Sequence, residues 1–383
     1  MAKLGDFFTI ASGGTPDKRN PSYYENGTIP WVKTGDLKNQ YVPAGIECIT
    51  EEGLNNSSAK LFPPNTVLVA MYGATIGACS ILTYEAATNQ ACAAFLPNEN
   101  VLPTYLYYFL SSKREQFVKD GVGGAQPNIS AGYLKNVQFG LIPMQQQIDI
   151  VEKLDKVEKL IVLRKEQLAK LDRLVKSRFI ELFGDPVQNP FKWDTKPLLE
   201  MGYCKNGMNF HTGDSGIEMH CLGVGDFKDY SVIDGTDHLP TISLNETPPA
   251  ESMLQNGDIV FVRSNGNKAL VGRCLVVYPH DTPTTYSGFC IRYRLTSDEV
   301  KTAYLLRVLK TESIRKKMAG RGANIQNLNQ QILASLDIPI PPMEIQEQFT
   351  SFIKQTDKSK LAIQRSLNKL ELLKKALMQE YFG

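Results

Sequence analysis

The sequence has no long apolar run, few cysteines and few histidines, and each scarcity argues against a class of protein. No stretch of its 383 residues is long and apolar enough to cross a membrane. The seven cysteines are scattered and none forms a C-x-x-C pair, which argues against a disulfide framework or a zinc ribbon. The four histidines lack the spacing of metal ligands. We therefore expect a cytoplasmic protein with reduced thiols and no bound metal.

Motifs for nucleotide binding and catalysis are missing as well. The chain has no G-x-x-x-x-G-K-[ST] loop, so we expect it to hydrolyse no nucleotide. An adenine methyltransferase places an acidic or amide residue before Pro-Pro-aromatic. The nearest string, Asn189-Pro190-Phe191, has one proline too few. The chain is thus expected to bind no cofactor and to be no enzyme.

What the sequence does contain is an internal duplication. Shifted by 199 positions, residues 101–184 align without a gap with residues 300–383. Further upstream, residues 35–38 (Gly-Asp-Leu-Lys) match residues 225–228 (Gly-Asp-Phe-Lys) at a shift of 190. Two large copies form a pseudo-dimer rather than a solenoid, which needs three or more short repeats. A pseudo-dimer suits a partner with two-fold geometry, such as DNA.

Each copy ends in a long heptad pattern. Alternating four- and three-residue steps select ten positions per copy, of which eight in the first and seven in the second are apolar or aromatic. A lone helix of forty residues would be about 60 Å long and unsupported, so the two helices are predicted to pack together as a coiled coil. The predicted seam positions are Ile150, Leu154, Val157, Ile161, Arg164, Leu168, Leu171, Val175, Arg178 and Leu182, with Phe349, Ile353, Thr356, Lys360, Ile363, Leu367, Leu370, Lys374, Leu377 and Tyr381.

The rest of each copy predicts a β-rich body with short helices. Residues 66–71 and 258–262 read as short apolar strands that are followed by glycine-containing loops. Shorter helices are predicted at about 103–119 and 302–318, and a proline-containing linker at 184–190. The fold class is therefore α+β, with a pseudo-two-fold internal repeat.

Charge is distributed unevenly along each copy. Residues 191–299 carry 9 basic and 14 acidic side chains, whereas residues 300–339 carry 7 basic and 2 acidic ones. Residues 1–100 are also acidic, with 6 basic and 9 acidic side chains. A local basic segment is the footprint expected of a nucleic-acid binder. The alternative is an ordinary solvated helix face.

Candidate DNA contacts follow from the chemistry of base and phosphate recognition. Arginine or lysine can read guanine and asparagine or glutamine can read adenine, while phosphate contacts need only a basic or hydroxyl side chain. For each residue the alternative role is a solvated surface or a turn. The candidates are Lys18, Arg19, Lys33, Thr34, Lys38, Tyr72 and Gln126 in the first copy, and Lys228, Arg263, Ser264, Asn265, Lys268, Lys316, Lys317, Arg321 and Gln326 in the second.

A nuclease site is the competing hypothesis. Pro16-Asp17 followed by Asp36-Leu37-Lys38 satisfies the pattern of two carboxylates that hold Mg²⁺ and a lysine beside them. However, Asp17 aligns with His211 in the second copy, whereas the Gly-Asp turn is kept. We therefore expect the Gly-Asp carboxylate to cap its own loop.

The motifs resemble those of a known family. Ser12-Gly13-Gly14-Thr15-Pro16, Tyr23-Tyr24 and the segment 29–37 are typical of the first target-recognition domain in the specificity (S) subunit of type I restriction-modification enzymes. Pro-Met-x-x-Gln at 143–147 and again at 342–346 matches the start of that family's helical regions. The second copy lacks the Gly-Gly-Thr-Pro and Tyr-Tyr motifs, so its loops are expected to differ.

The resemblance implies a complete architecture. Target-recognition domains at 1–142 and 191–341 would each read half of a split sequence in double-stranded DNA, and antiparallel helical spacers at 143–184 and 342–383 would separate them. Two methyltransferase (M) subunits and the restriction (R) subunits would be the partners, and they would use S-adenosylmethionine, ATP and Mg²⁺. The alternatives are a DNA-modifying enzyme or nuclease in its own right, or the recognition subunit of a related type II system.

Overall fold

The computed structural model describes residues 2–121, 128–210, 213–227, 231–319 and 327–383. The chain divides into two compact units. The first unit comprises Met1–Lys165 and Gln364–Gly383, and the second comprises Glu166–Ile363. Each unit contains a β-rich body and part of each of two 40-residue helices.

The body of the first unit is built on two small sheets. Its described strands are β1 (Ile10–Ser12), β2 (Ile29–Val32), β3 (Cys48–Ile49), β4 (Leu61–Phe62), β5 (Val67–Ala70), β6 (Cys79–Ile81), β7 (Ala86–Thr88) and β8 (Cys92–Phe95). Its helices are α1 (Leu4–Phe7), α2 (Glu51–Asn55), α3 (Pro103–Ser112), α4 (Arg114–Asp120) and α5 (Ala131–Lys135), before the long α6 (Met144–Phe183). The strand orders are β1-β8-β5-β6 and β3-β2-β7-β4, with β2 and β7 parallel.

The second unit repeats this topology. Its described strands are β9 (Thr195–Pro197), β10 (Gly202–Asn206), β11 (Ile217–Leu222), β12 (Val232–Asp234), β13 (Thr241–Leu244), β14 (Asp258–Val262), β15 (Cys274–Tyr278), β16 (Thr284–Tyr286), β17 (Cys290–Leu295) and β18 (Asp337–Pro339). Its helices are α7 (Thr302–Leu309), α8 (Glu312–Ala319), α9 (Gln330–Ala334) and α10 (Met343–Phe382). The sheets β10-β17-β14-β15-β12 and β13-β11-β16 keep the orders β1-β8-β5-β6 and β3-β2-β7 of the first unit, with β11 and β16 as the parallel pair. They differ by the added edge strand β12, and β4 has no counterpart among the described strands.

A strand that is buried on both faces organises each body. Val67 and Val69 of β5 face the cluster that includes helix α3, whereas Leu68 and Ala70 face the cluster between the sheets. The same alternation divides the residues of β14 between two clusters. Because neighbouring side chains in a strand point to opposite faces, a continuous apolar run suits a strand with two covered faces. The strands predicted at these positions are confirmed.

The long helices begin and end where the sequence predicts. Each begins just after a proline, and Gly184 ends α6 with a left-handed φ of 67° that favours glycine. The predicted seam positions are all buried or half-buried. Within the first unit Lys374 pairs with Glu158 at 2.6 Å and Lys165 with Glu371 at 3.2 Å, so the helices run antiparallel there. In the second unit Lys360 pairs with Asp172 in the same sense. Coiled-coil packing in the strict sense stays a prediction.

The prediction of one shorter helix in each body is wrong in detail. In the first body the helix ends at Ser112, and a second short helix begins at Arg114. In the second body the helix ends at Leu309, and a second one begins at Glu312. The Thr311 hydroxyl donates to the carbonyl of Val308 at 2.7 Å and accepts from the Ile314 amide at 3.5 Å. Such a hydroxyl competes with the helical hydrogen bonds, which explains the break.

No helix among the described residues is long and apolar enough to span a bilayer.

A buried glutamine joins each long helix to its body. The Gln346 side chain accepts a hydrogen bond from the Lys301 amide at 2.8 Å and donates to the carbonyls of Glu299 at 3.0 Å and Pro341 at 2.8 Å. Gln147 makes the corresponding three bonds in the first unit, to the backbones of Leu102, Asn100 and Ile142. Both glutamines are 0% exposed. The Pro-Met-x-x-Gln motif therefore places its amide where three backbone groups need partners.

We predict that Gln346→Leu lowers the free energy of unfolding by roughly 3 kcal/mol, because three buried backbone groups lose their partner at about 1–3 kcal/mol each. Urea unfolding measures the change. Gln348→Leu is the control, since Gln348 is exposed one half-turn away, and it should change stability by less than about 0.5 kcal/mol. Equal stability of the two variants would contradict the role of the buried amide.

Candidate nucleic-acid interface

In the first unit the loops that follow four strands meet at one edge of the body. The amide of Asn89 donates to the carbonyl of Val32 at 2.9 Å, which joins the loops after β7 and β2. The amide of Met71 donates to the carbonyl of Ala91 at 2.8 Å and adds the loop after β5. We call this set, residues 13–19, 33–38, 71–77 and 89–91, the first loop edge.

Glycine permits the close crossing on which this edge depends. A Cβ atom on Gly13 would lie 1.9 Å from the carbonyl oxygen of Thr88, so no larger residue fits. The indole of Trp31 donates to the carbonyl of Gly14 at 3.0 Å and fixes the next residue. The Gly-Gly-Thr-Pro motif is thus explained by backbone packing, and it delivers Thr15 to the surface.

Several polar side chains point outward from the first loop edge. The Thr15 hydroxyl contacts the Gln90 amide oxygen, and the exposed Gln90 neighbours Asn89, whose buried side-chain oxygen has no protein partner among the described residues. Tyr72 is 44% exposed. The Lys33 ammonium pairs with Glu47 at 2.5 Å, which raises the pKa of that lysine. Amide, hydroxyl, aromatic and ammonium groups thus share one edge.

The second unit forms an equivalent edge with other side chains. The amide of Ser287 donates to the carbonyl of Leu222 at 3.0 Å, and that of Arg263 to Phe289 at 2.8 Å, as in the first unit. A Cβ atom on Gly207 would lie 2.0 Å from the carbonyl oxygen of Ser287, so Gly207 takes the place of Gly13. We call residues 207–209, 223–227, 263–268 and 287–289 the second loop edge.

The outward side chains of the second loop edge differ from those of the first. Phe289 is 62% exposed, and the Arg263 guanidinium donates to the carbonyl of Gly288 at 3.4 Å. Asn209 is exposed and lies against Gly288, where the first unit has Thr15 beside Gln90. The expectation of different loop side chains therefore holds, although the backbone crossing is kept.

The structure brings together some of the predicted contact residues. Lys18, Arg19, Lys33, Thr34, Lys38 and Tyr72 belong to the first loop edge, and Arg263, Ser264, Asn265 and Lys268 to the second. Lys316 and Lys317 lie on α8 and not in these loops, although Lys316 and Lys268 line the same concavity. Lys316 pairs with Glu312 at 2.7 Å. Gln126, Lys228, Arg321 and Gln326 fall outside the described residues.

Sequence reasoning missed Thr15, Asn89 and Gln90 in the first unit, and Asn209 and Phe289 in the second. Their common signal is position. Asn89, Gln90 and Phe289 follow β7 or β16, one strand of the parallel pair. Thr15 and Asn209 follow β1 or β10, where the chain crosses that loop. Aligning Asn89-Gln90-Ala91-Cys92 with Ser287-Gly288-Phe289-Cys290 would have shown variable residues before a shared cysteine.

The carboxylates of the hypothetical nuclease site have structural partners. Asp36 accepts a hydrogen bond from the Lys33 amide at 2.8 Å, and Asp226 accepts one from Gly223 at 2.8 Å. Each thereby caps a short 3₁₀ helix, as expected from the sequence. Asp17 pairs with Arg19 at 2.7 Å, and this contact lowers the pKa of Asp17 to about 2. Among the described residues no group of three His, Cys, Asp or Glu could hold a metal ion.

The chain is similar to curated specificity subunits. It is 24% identical to the type I restriction enzyme MjaIX specificity subunit of Methanocaldococcus jannaschii, over 99% of this chain and 91% of that one. It is 22% identical to the StySPI specificity subunit of Salmonella potsdam, over 100% and 88% of the two chains. A shorter match to the EcoR124I/EcoR124II specificity subunit of Escherichia coli has 30% identity over 41% of this chain and 40% of that one.

Solved structures share the fold. The type I restriction-modification S subunit from M. genitalium has a TM-score of 0.57 and 14% identity, covering 100% of this chain and 95% of that one. A chain solved in work on complex assembly and conformational transition of the type I R-M system has a TM-score of 0.62 and 18% identity, covering 100% and 96%. The fold, with its two loop-bearing β bodies and two long helices, is therefore that of an S subunit.

The family assignment rests on a direct match. The model of the type I restriction modification DNA specificity domain matches residues 1–173 and 229–372. The chain belongs to this family.

We predict that Asp36→Ala and Asp226→Ala each lower the free energy of unfolding by about 1 kcal/mol, the usual cost of losing a cap. Glu25→Ala, an exposed acidic control, should have little effect. Thermal unfolding measures the stability of each variant. The same measurement is repeated with Mg²⁺, and the melting temperature of the wild type should not change when the metal is added. A Mg²⁺-dependent rise that Asp36→Ala abolishes would support a metal site instead.

Proposed function

We propose that this chain is the DNA-recognition subunit of a type I restriction-modification enzyme. Each loop edge reads one half of a split target in double-stranded DNA, and the chain itself catalyses no reaction. The observation that carries this proposal is the repetition of one backbone edge with different side chains. A shared backbone gives both halves the same way of approaching a duplex, while different side chains give them different sequences to read.

The chemistry of the edges suits base recognition. Gln90 offers the donor–acceptor pair that reads adenine, and Arg263 offers the guanidinium that reads guanine in the major groove. The exposed rings of Tyr72 and Phe289 can contact thymine methyl groups or unstacked bases. Lys33, fixed by Glu47 at 2.5 Å and 5.8 Å from the Trp31 ring centroid, suits a phosphate beside the base contacts.

The long helices suit partner subunits. In the first unit, α6 and α10 carry exposed leucines outside the seam. They are Leu160 (43% exposed), Leu163 (43%), Leu372 (68%) and Leu373 (46%). The second unit exposes Leu174 and Leu361 at 49% and 53%. Apolar positions outside a filled seam favour docking of further helices. We infer that the parts of α6 and α10 that lie in one unit bind one M subunit. We also infer that these two helices set the spacing between the two half-sites.

The remaining components follow from this assignment. Two M subunits would supply the S-adenosylmethionine chemistry, and R subunits would supply ATP- and Mg²⁺-dependent cleavage. The seven cysteines of the chain are free thiols, and five of them are buried, which supports a cytoplasmic location. A DNA-modifying enzyme or nuclease in its own right, or a related type II subunit, stays an alternative. Methyl transfer by the purified chain alone would favour the first of these.

We predict that Gln90→Ala relaxes one position in one half of the target by about ten- to a hundredfold, because a bidentate amide contact contributes about 1–3 kcal/mol of discrimination. Arg263→Ala should do the same in the other half. The measurement is binding of the chain, assembled with its M subunits, to a library of randomised duplexes, followed by sequencing. Gln146→Ala, an exposed glutamine on α6, is the control. Loss of preference in both halves from either single change would contradict the assignment of one edge to each half.

We predict that Leu372→Glu with Leu373→Glu weakens M-subunit binding at least tenfold, since each buried leucine contributes about 1.5–3 kcal/mol. Both residues are exposed, so the stability of the isolated chain should change by less than about 0.5 kcal/mol. Lys375→Glu, an exposed neighbour, is the charge control. Titration calorimetry with purified M subunit provides the affinities. Wild-type affinity in the double variant would place the docking surface elsewhere.

A further inference from the structure

The second unit contains a large concavity that shares only Lys268 with the second loop edge. It has a volume of about 1050 Å³ and lies between the end of α6, the pair α7–α8 and the loop after β14. Phe179, Ile180, Ala269 and Ala319 supply apolar lining. Six cationic side chains also line it: Lys176, Lys268, Arg307, Lys310, Arg315 and Lys316. Such a wall attracts anions.

The two carboxylates in the lining are already engaged. Asp185 accepts hydrogen bonds from the amides of Val187 at 2.9 Å and Gln188 at 3.1 Å. Glu312 pairs with Lys316 at 2.7 Å. The concavity therefore has an excess of positive charge that its own acidic residues do not neutralise.

Two of the cations are directed to neutral acceptors. The Lys310 ammonium donates to the hydroxyl of Ser231 at 2.8 Å, and Arg315 donates to the carbonyl of Val271 at 3.2 Å. Within the described part of the chain, neither reaches a carboxylate within 4.0 Å. Burial lowers the pKa of Lys310, and the nearby cations Arg307, Arg273 and Lys176 lower it further, against an opposing effect of Cys274. Even a half-buried cation is destabilised when it lacks a counter-charge, so an anion would stabilise this arrangement.

Arg307 points to the same conclusion. Its Nε atom is buried and has no hydrogen-bond partner among the described residues. Burial lowers the pKa of Arg307, while the helix carboxylates Asp172 and Asp357 act in the opposite direction. Those carboxylates are also neighbours of Lys360, so they do not belong to Arg307 alone.

The fold does not require this cluster. At the 199-residue shift, Tyr108 and Ser111 occupy the positions of Arg307 and Lys310. In the first unit the Tyr108 hydroxyl donates to Asp155 on α6 at 2.6 Å, so the same helix face makes a neutral donor contact. The cationic concavity is thus a property of the second unit, which suggests a ligand rather than a packing role.

We propose that the concavity binds a phosphate-bearing polyanion, with Lys310, Arg315 and Lys176 as the phosphate contacts. The inference goes beyond DNA recognition by the loop edges. The phosphates could belong to a DNA backbone or to a free oligophosphate, and the two sources give different experimental results.

Inorganic triphosphate is the probe, added to the full chain at constant ionic strength with chloride as the reference salt. We expect the melting temperature of the wild type to rise with triphosphate concentration, as it does for any ligand that binds only the folded state. Lys310→Met keeps the apolar stem and should reduce the apparent affinity at least tenfold. Arg315→Gln serves as a second variant in case the first does not fold. Lys358→Met is the matched control, since Lys358 is exposed on α10 outside the concavity.

Duplex binding, followed by fluorescence anisotropy, identifies the source. If triphosphate competes with DNA and Lys310→Met weakens DNA binding while Lys358→Met does not, the ligand is the DNA backbone. If DNA binding is unaffected, the ligand is a free oligophosphate. The proposal is overturned if triphosphate fails to stabilise the wild type. It is also overturned if triphosphate stabilises Lys310→Met and Arg315→Gln as strongly as it stabilises the wild type. Because the triphosphate measurement needs no DNA, its result tests the concavity even if the proposed DNA recognition is wrong.

Discussion

The attachment of each long helix to its β body depends on one buried amide. Gln147 and Gln346 each satisfy three backbone groups, from the segment before a short body helix and from the turn that begins the long helix. A residue without both a donor and an acceptor at that position would leave buried polar groups unpaired, at about 1–3 kcal/mol each. Within each unit the amide fixes the direction in which the long helix leaves the body, and with it the position of the loop edge relative to the helix.

The loop edges can vary because the body below them does not. β5 and β14 are buried on both faces, and Gly13 and Gly207 keep the same backbone crossing. Asp36 and Asp226 cap equivalent turns through equivalent hydrogen bonds. With the backbone maintained by these contacts, the side chains at Thr15 and Gln90, or at Asn209 and Gly288, are free to differ. This separation between a fixed frame and variable side chains is what a subunit with two different half-sites needs.

Much of the fold could be predicted from the sequence, because its strongest signals are local. The heptad pattern, a preceding proline and Gly184 gave correct bounds for both long helices. The break at Thr311 was not predicted, since a hydroxyl that interrupts a helix leaves the apolar period intact. At the candidate site, the sequence indicated residues on recognisable loops, such as Tyr72 and Arg263, which lie on the loop edges, and their contact with DNA stays a prediction. Gln90 was not found, because its exposure depends on the parallel pairing of β2 with β7, two strands more than fifty positions apart.

The central claim is that each unit reads its own half of the target. The most direct measurement replaces residues 191–340 with the corresponding segment of another specificity subunit and maps methylated sites in cells that express the chimera with its M subunit. Our account predicts that one half of the modified sequence changes to that of the donor while the other half stays as it was. A chimera that is folded and active but changes both halves, or neither, would contradict it.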